Sequence, residues 1–245
     1  MARLNTNEEL WVACSEAGFI RTPATPSGNT TTDAVLAAGD SVMSVVSETG
    51  FATDDILRVS SGNEMEIGFV ETVAAGSITL KSNIAFAHLS GVVVTSMERV
   101  NLGAVSDDGI TRESSVERTE IRAATQAGVY ATLITNANAR IAWNLLNHSM
   151  ENVLWALGMD ETNISGAGTS ADPTVADIDP DLFDELQNVA VYFAGSLKDG
   201  TTIEIQGWDA DFDPNQSITY LRGQAVTLPF AADVKHIRYY DPSLV

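Results

Sequence analysis

Residues 56–80, "ILRVSSGNEMEIGFVETVAAGSITL", decide how this chain folds. Three runs, 56–60, 64–73 and 77–80, are rich in β-branched and alternating apolar residues and are parted by "SGN" and "AAG". Each run is short, and a glycine-bearing break of two or three residues between such runs is the signature of a tight hairpin. Working outward, residues 41–46 before them and 91–97 after them have the same character. Close spacing of five short strands predicts a small antiparallel barrel or sandwich over residues 24–99, preceded by an N-terminal arm over 1–23.

Downstream the pattern changes. Residues 106–126 are polar, carry both charges and are poor in apolar side chains, so a long loop or arm is expected, built on Asp107, Asp108, Arg112, Glu113, Glu117, Arg118, Glu120 and Arg122. Two strands then flank "NAN". A helix is expected over 149–157, where Met150, Val153, Leu154 and Leu157 recur at three- and four-residue spacing, with Ser149 as N-cap and Gly158 as stop. A Gly/Ser/Asp/Pro-rich loop follows, and strands return at 188–193, 201–208, 217–221, 224–228 and 234–239. No fixed-period repeat is visible, and the expected class is mainly β with one flanking helix.

Net charge is −20, from 33 acids against 13 bases, and residues 159–245 hold 15 acids and 4 bases, a balance of −11. Such a field repels phosphate and argues against a nucleic-acid-binding groove. The single cysteine, Cys14, has no partner within the chain, which fits folding in a reducing cytoplasm. The first twenty residues do not read as a secretory signal, and no apolar run approaches the ~20 residues of a membrane helix, so a soluble protein is expected.

Candidate chemistry is sparse. Asp209, Asp211 and Asp213 in "GWDADFDPNQ" match the first acids of an EF-hand loop, but Pro214 replaces its glycine and Tyr220 its terminal glutamate. A calcium site of another kind, with Asn215, and a charged strand end turning at Asp213-Pro214-Asn215 are the two readings left. In a strand the three aspartates share one face. "GDS" at Gly39-Asp40-Ser41 and Asp233-x-x-His236 spell the end blocks of GDSL-type esterases, but that fold needs alternating strands and helices that this chain lacks. His88 and His148 are isolated, and neither a Cys/His cluster nor a phosphate loop is present, so no cofactor or metal is expected.

The order of several words carries more information than any one of them. "LGAVSDDGITRESSVERTEIRA", "LITNANARIAWNLL", "HSMENVLWALG", "AVYFAG", "TIEIQGWDADFD" and "AVTLPFAADV" follow one another through about sixty percent of the chain. In that order they resemble the tail tube proteins of long-tailed bacteriophages: an Asp-Gly turn opening an arm, strands, a short helix ending in Ala-Leu-Gly, and terminal strands with a Leu-Pro turn. Residues 48–94 are similar to small β-domains of phage virion proteins, here an addition to the minimal tube pattern.

The resemblance implies a tail-tube-like β-sandwich or open barrel over 100–245 with one flanking helix. It further implies hexameric rings of self-associated subunits that stack into a channel for double-stranded DNA. The family's partners are a tape-measure protein, a tail terminator and, in contractile tails, a sheath. Localisation in the virion and no enzymatic activity are implied as well. On this reading the 106–126 arm, and an N-terminal segment with Leu10, Trp11, Val12 and Phe19, meet neighbouring subunits. Asp209, Asp211 and Asp213 form an acidic face. A virion surface decoration or adhesin-type binding module would share the acidic, β-rich composition and is the alternative.

Overall fold

A computed structural model describes residues 13–61, 64–121, 131–159, 161–166, 169, 171–172, 174–176, 178, 189–196, 202–213 and 227–240. The fold is mainly β, with a large antiparallel sheet, a small second sheet and one helix. In chain order the strands are β1 (Ala13–Arg21), β2 (Asn29–Thr31), β3 (Val42–Ser44), β4 (Ile56–Ser61), β5 (Glu64–Ala74), β6 (Ser77–Leu80), β7 (Val93–Gly103), β8 (Val105–Ile121) and β9 (Ala131–Leu145). Helix α1 (Met150–Ala156) follows, then β10 (Ile164–Ser165), β11 (Val175–Ala176), β12 (Val189–Ser196), β13 (Thr202–Phe212) and β14 (Leu228–Tyr240). The chain forms two compact units: Met1–Ala104 with Asn188–Trp208 and Arg238–Val245, and Val105–Gln187 with Asp209–Ile237.

In the first unit, strands neighbour one another in the order β3-β6-β5-β4-β7, and β2 pairs with β7. The bridge Thr32↔Val45 and the Val46 N–H donating to the Thr31 carbonyl bring β2 back beside the end of β3. The six strands therefore close into a small barrel, which leaves their backbone groups paired all round. Its interior is apolar: Met43, Val45, Leu57, Val59, Val70, Ile78, Leu80 and Val94 form one buried cluster with Leu36, Phe51, Ile84 and Val92. On β4 the alternation is plain, with Leu57 and Val59 inside and Arg58 half-buried outside. β5 is buried on both faces, because Met65 and Ile67 join a second cluster with Ile20, Met97, Ala190, Tyr192 and Trp208.

β7 outruns the barrel. Its later residues pair with β1, which on its other edge pairs with β12. The expected arm over 1–23 is corrected here: Ala13–Arg21 is an internal strand, and Phe19 is fully buried in its own sheet rather than presented to a neighbour. Leu10, Trp11 and Val12 lie outside the described residues. Ala17, Phe19 and Ile20 are all buried, so both faces of β1 are covered and the sequence shows no alternation. Gly18 sits between Asn101 and Tyr192, and a Cβ there would lie 2.5 Å from the Tyr192 ring and inside contact of the Val100 carbonyl oxygen. The ring lies on bare backbone. Arg99 stacks on its face at 4.7 Å and grips Glu204 with two bonds of 2.8 and 2.7 Å.

The second unit is built on β8, β9, the Leu228–Ile237 part of β14 and the Asp209–Phe212 part of β13, in the order β13-β14-β9-β8. Trp143 of β9 stacks on Phe230 of β14 at 5.2 Å, and Phe212 meets both rings edge-on. The expected Leu-Pro turn is a strand start instead: Leu228 and Pro229 open β14 opposite Leu145 and Asn144. Helix α1 has the expected cap, the Ser149 Oγ accepting from the Asn152 N–H at 3.1 Å. It ends with Gly158 at φ +73°, where the Gly158 and Met159 N–H groups donate to the Trp155 and Leu154 carbonyls. That paired closure is the Schellman stop that a glycine permits. The expected strand over 217–221 and most of that over 224–228 lie outside the described residues.

Two outcomes are expected from the Gly18–Tyr192 contact. Gly18→Ala overpacks the sheet and should lower stability by roughly 1–3 kcal/mol, read from the urea midpoint; an unchanged midpoint refutes the close approach. Burial first, then the hydrogen bond donated to Glu16, pushes the Tyr192 phenol above the ordinary tyrosine range. Unfolded tyrosine loses its proton first near pH ~10, so this stability is complete below that pH and is lost as pH rises beyond it. Tyr192→Phe should flatten the alkaline fall in the urea midpoint, and an equal fall in both proteins counts against the assignment.

Candidate functional site: the long ribbon and the charged face of the second unit

Residues 106–126 were expected as a long loop or arm, and up to Ile121 the structure makes them a strand rather than a loop. β8 runs through Val105–Ile121 in register with β9, from Ile110↔Trp143 to Ile121↔Ala131. A two-stranded ribbon needs a ladder of backbone bonds and no apolar face, so composition alone misread it. Thr111, Arg112, Glu113, Ser114 and Ser115 are all exposed, and successive strand residues point to opposite faces, so β8 presents exposed side chains on both faces there, while Ile141 of β9, opposite Arg112, is buried.

At the base of the ribbon the register jumps from Val105↔Leu145 to Ile110↔Trp143. The extra residues, Ser106-Asp107-Asp108-Gly109, form a bulge in which Gly109 takes φ +72°. The Asp-Gly pair expected to open the arm is this bulge, and bulges bend a strand and increase its twist. Asp107 is exposed there. Glu117, Arg118 and Glu120 stand opposite Asn136, Ile134 and Thr132, past a second register shift after Glu117. Arg122 lies outside the described residues.

Asp209, Asp211 and Asp213 do alternate along β13 with buried Ala210 and Phe212, as expected of a strand. They are not an isolated acidic row. Asp213 is ion-paired with Arg140 of β9, and Asp209 with Lys235 of β14. The hydrogen bond to Asp209 holds the Lys235 ammonium above the ordinary lysine range, with Asp211 adding a smaller attraction. Asp209 adopts φ +52°, a left-handed conformation that aspartate tolerates better than most side chains.

Arg140 is the centre of this face. Cross-strand register sets it opposite Glu113 of β8 and Asp233 of β14, while its guanidinium holds Asp213. Five carboxylates, Glu113, Asp209, Asp211, Asp213 and Asp233, thus share one face with two cations, Arg140 and Lys235. Sequence reasoning had placed these groups in three unrelated motifs and had missed Arg140 and Lys235. The period-two run "AADVKH" contained the signal, since Asp233 and Lys235 flank buried Val234.

Two chemical readings fare poorly on this geometry. Among the described residues no three His, Cys, Asp or Glu side chains gather as a metal site, and Asn215 lies outside them. Asp233 and His236 are three apart on β14, so their side chains leave opposite faces and do not make the hydrogen-bonded pair an esterase needs. Ser41 lies in the turn before β3.

The chain matches no model of a known protein family, and no curated protein sequence matches it. No helix among the described residues is long and apolar enough to cross a membrane.

Removing the central cation tests the face directly. Arg140→Met leaves Glu113, Asp213 and Asp233 facing one another and should cost about 1 kcal/mol at low salt, with added salt restoring much of the loss by screening. The check is the urea midpoint of both proteins in low and high salt; a variant with the salt response of the parent shows that Arg140 is not holding these carboxylates together.

Proposed function

We propose that this chain is a structural, self-assembling subunit of a phage tail tube, forming stacked hexameric rings in the virion around a channel for double-stranded DNA. The observation that carries the reading is the ribbon. β8 is the outermost strand in the β13-β14-β9-β8 order, spans 17 residues, and runs through a stretch exposed on both faces. Monomeric proteins shorten, cover or twist away such edges because each is a template for pairing with another chain. A two-stranded ribbon is marginal by itself, so it gains order by lying against a neighbouring subunit.

The order of sequence words supplies the identity that geometry leaves open, since fold and edge speak for assembly and the resemblance speaks for the tail. Head-to-tail contacts that close within a ring and continue along an axis generate a tube. Charge fits the same role: a face with five carboxylates against two cations repels duplex phosphate and would let DNA slide past without adhering.

Electron microscopy of the purified protein at high concentration should show rings or tubes of uniform bore. The double variant Arg112→Glu, Glu113→Arg, placed on the exposed part of the ribbon, should keep the circular dichroism of the parent and lose those assemblies. Dispersed monomers or trimers of the parent would favour a surface decoration or adhesin-type module, and assembly of the variant at the parent's concentration would remove the ribbon from the interface.

A further inference from the structure

We propose that Glu66, in the first unit, is an acid-sensitive latch that holds the irregular segment 82–89 against Trp208. Glu66 stands on β5 opposite Val59 with only 1% of its surface exposed. A carboxylate that deep is tolerated only when donors surround it. Here they do: the Ala85 and Phe86 main-chain N–H groups donate at 2.5 and 3.2 Å, Arg238 Nη1 lies at 3.5 Å, and a ring nitrogen of His88 at 3.4 Å. Arg238 ties the same segment a second time through the Asn83 carbonyl at 2.9 Å and lies over the Trp208 ring. Phe86 meets that ring edge-on at 6.5 Å.

The segment joins β6 to β7 and has no strand of its own. Its opposite side is fixed independently, by the paired bridge of Leu36 with His88 and by the exchange of backbone bonds between Ile84 and residues 39–40. Loss of the Glu66 bonds would therefore free Ala85 and Phe86 while leaving the barrel closed. Other charged groups on the neighbouring elements are turned elsewhere. Asp40 accepts from the Ala37 N–H, Lys81 is paired with Asp54, and Arg58 leaves the face of β4 opposite to that of Val59.

Proton balance makes the latch directional. Protonation of Glu66 would put an O–H where two main-chain N–H groups and a guanidinium now donate, and would remove the charge that strengthens those bonds. Acid therefore opens the contact, and alkali does not.

The test is hydrogen exchange of the full-length protein, resolved at single amides and corrected for the intrinsic effect of pH. Ala85 and Phe86 should be protected at neutral pH and lose about ten- to a hundredfold of that protection on acidification, the equilibrium weight of a charge-assisted hydrogen bond. Leu57, Val59 and Val94 should keep theirs. Glu66→Gln should exchange fast at Ala85 and Phe86 at both pH values. Arg238→Met removes a cation that favours the ionised carboxylate, so its opening should move to higher pH, and this variant decides the matter if Glu66→Gln does not fold. Protection that ignores pH, barrel amides that open together with the segment, or an Arg238→Met opening at the same or a lower pH would each overturn the proposal.

Discussion

Every β-strand carries a row of N–H and C=O groups on each edge, and the fold of this chain is organised by where those rows find partners. In residues 29–97 the answer is closure. Six strands come round until Thr32 meets Val45, and the barrel so made encloses an apolar interior large enough to hold it. In the second unit the answer is left open, because β8 has β9 on one side and none of the described strands on the other. One edge problem is thus solved within the monomer and the other is deferred.

Side-chain chemistry follows from that difference. Inside the barrel the alternation of Leu57 and Val59 with Arg58 is enforced by a core on one face. Along the ribbon the core lies on the β9 side, at Ile141, Trp143 and Leu145, so on β8 from Thr111 to Ser115 nothing selects apolar residues at every second position. Thr111 to Ser115 are polar because each of them meets water on its own face in the isolated chain. Charges of both signs in such a strand can pair with a complementary surface as readily as with water.

Legibility in the sequence tracked the same physics. Barrel strands such as β4 and β6 could be read because one-sided burial prints a period of two, β5, covered on both faces, because glycine-bearing breaks bound it, and the helix because Ser149 and Gly158 mark its ends. β1 could not, since "AGFI" is covered on both faces and its glycine, needed for contact with Tyr192, reads as a turn. β8 could not either, since a strand exposed from Thr111 to Ser115 leaves no apolar mark. Asp209 and Asp211 lie on β13 and Asp213 follows its end, and the cations that pair with Asp213 and Asp209 come from Arg140 and Lys235, on strands that are distant in sequence. Cross-strand partners of that kind are set by register, and register is fixed by bulges such as Ser106–Gly109 that composition does not reveal.

Arg140 links the two halves of the proposed role. It lies on β9, opposite Glu113 where the ribbon is still exposed, and its guanidinium reaches Asp213 on β13. A salt bridge between partly exposed groups contributes little to stability, so its value here lies in placing charge. With Arg140 paired to Asp213 and Lys235 to Asp209, the face carries five carboxylates against two cations, a net negative surface. In the proposed tube, a surface of that kind would suit a wall past which a polyanion moves, and the β8 edge would be the part that pairs with a neighbour. The proposed role thus asks the β8 edge to pair through its backbone while the charged face, which shares Glu113 with that edge, repels.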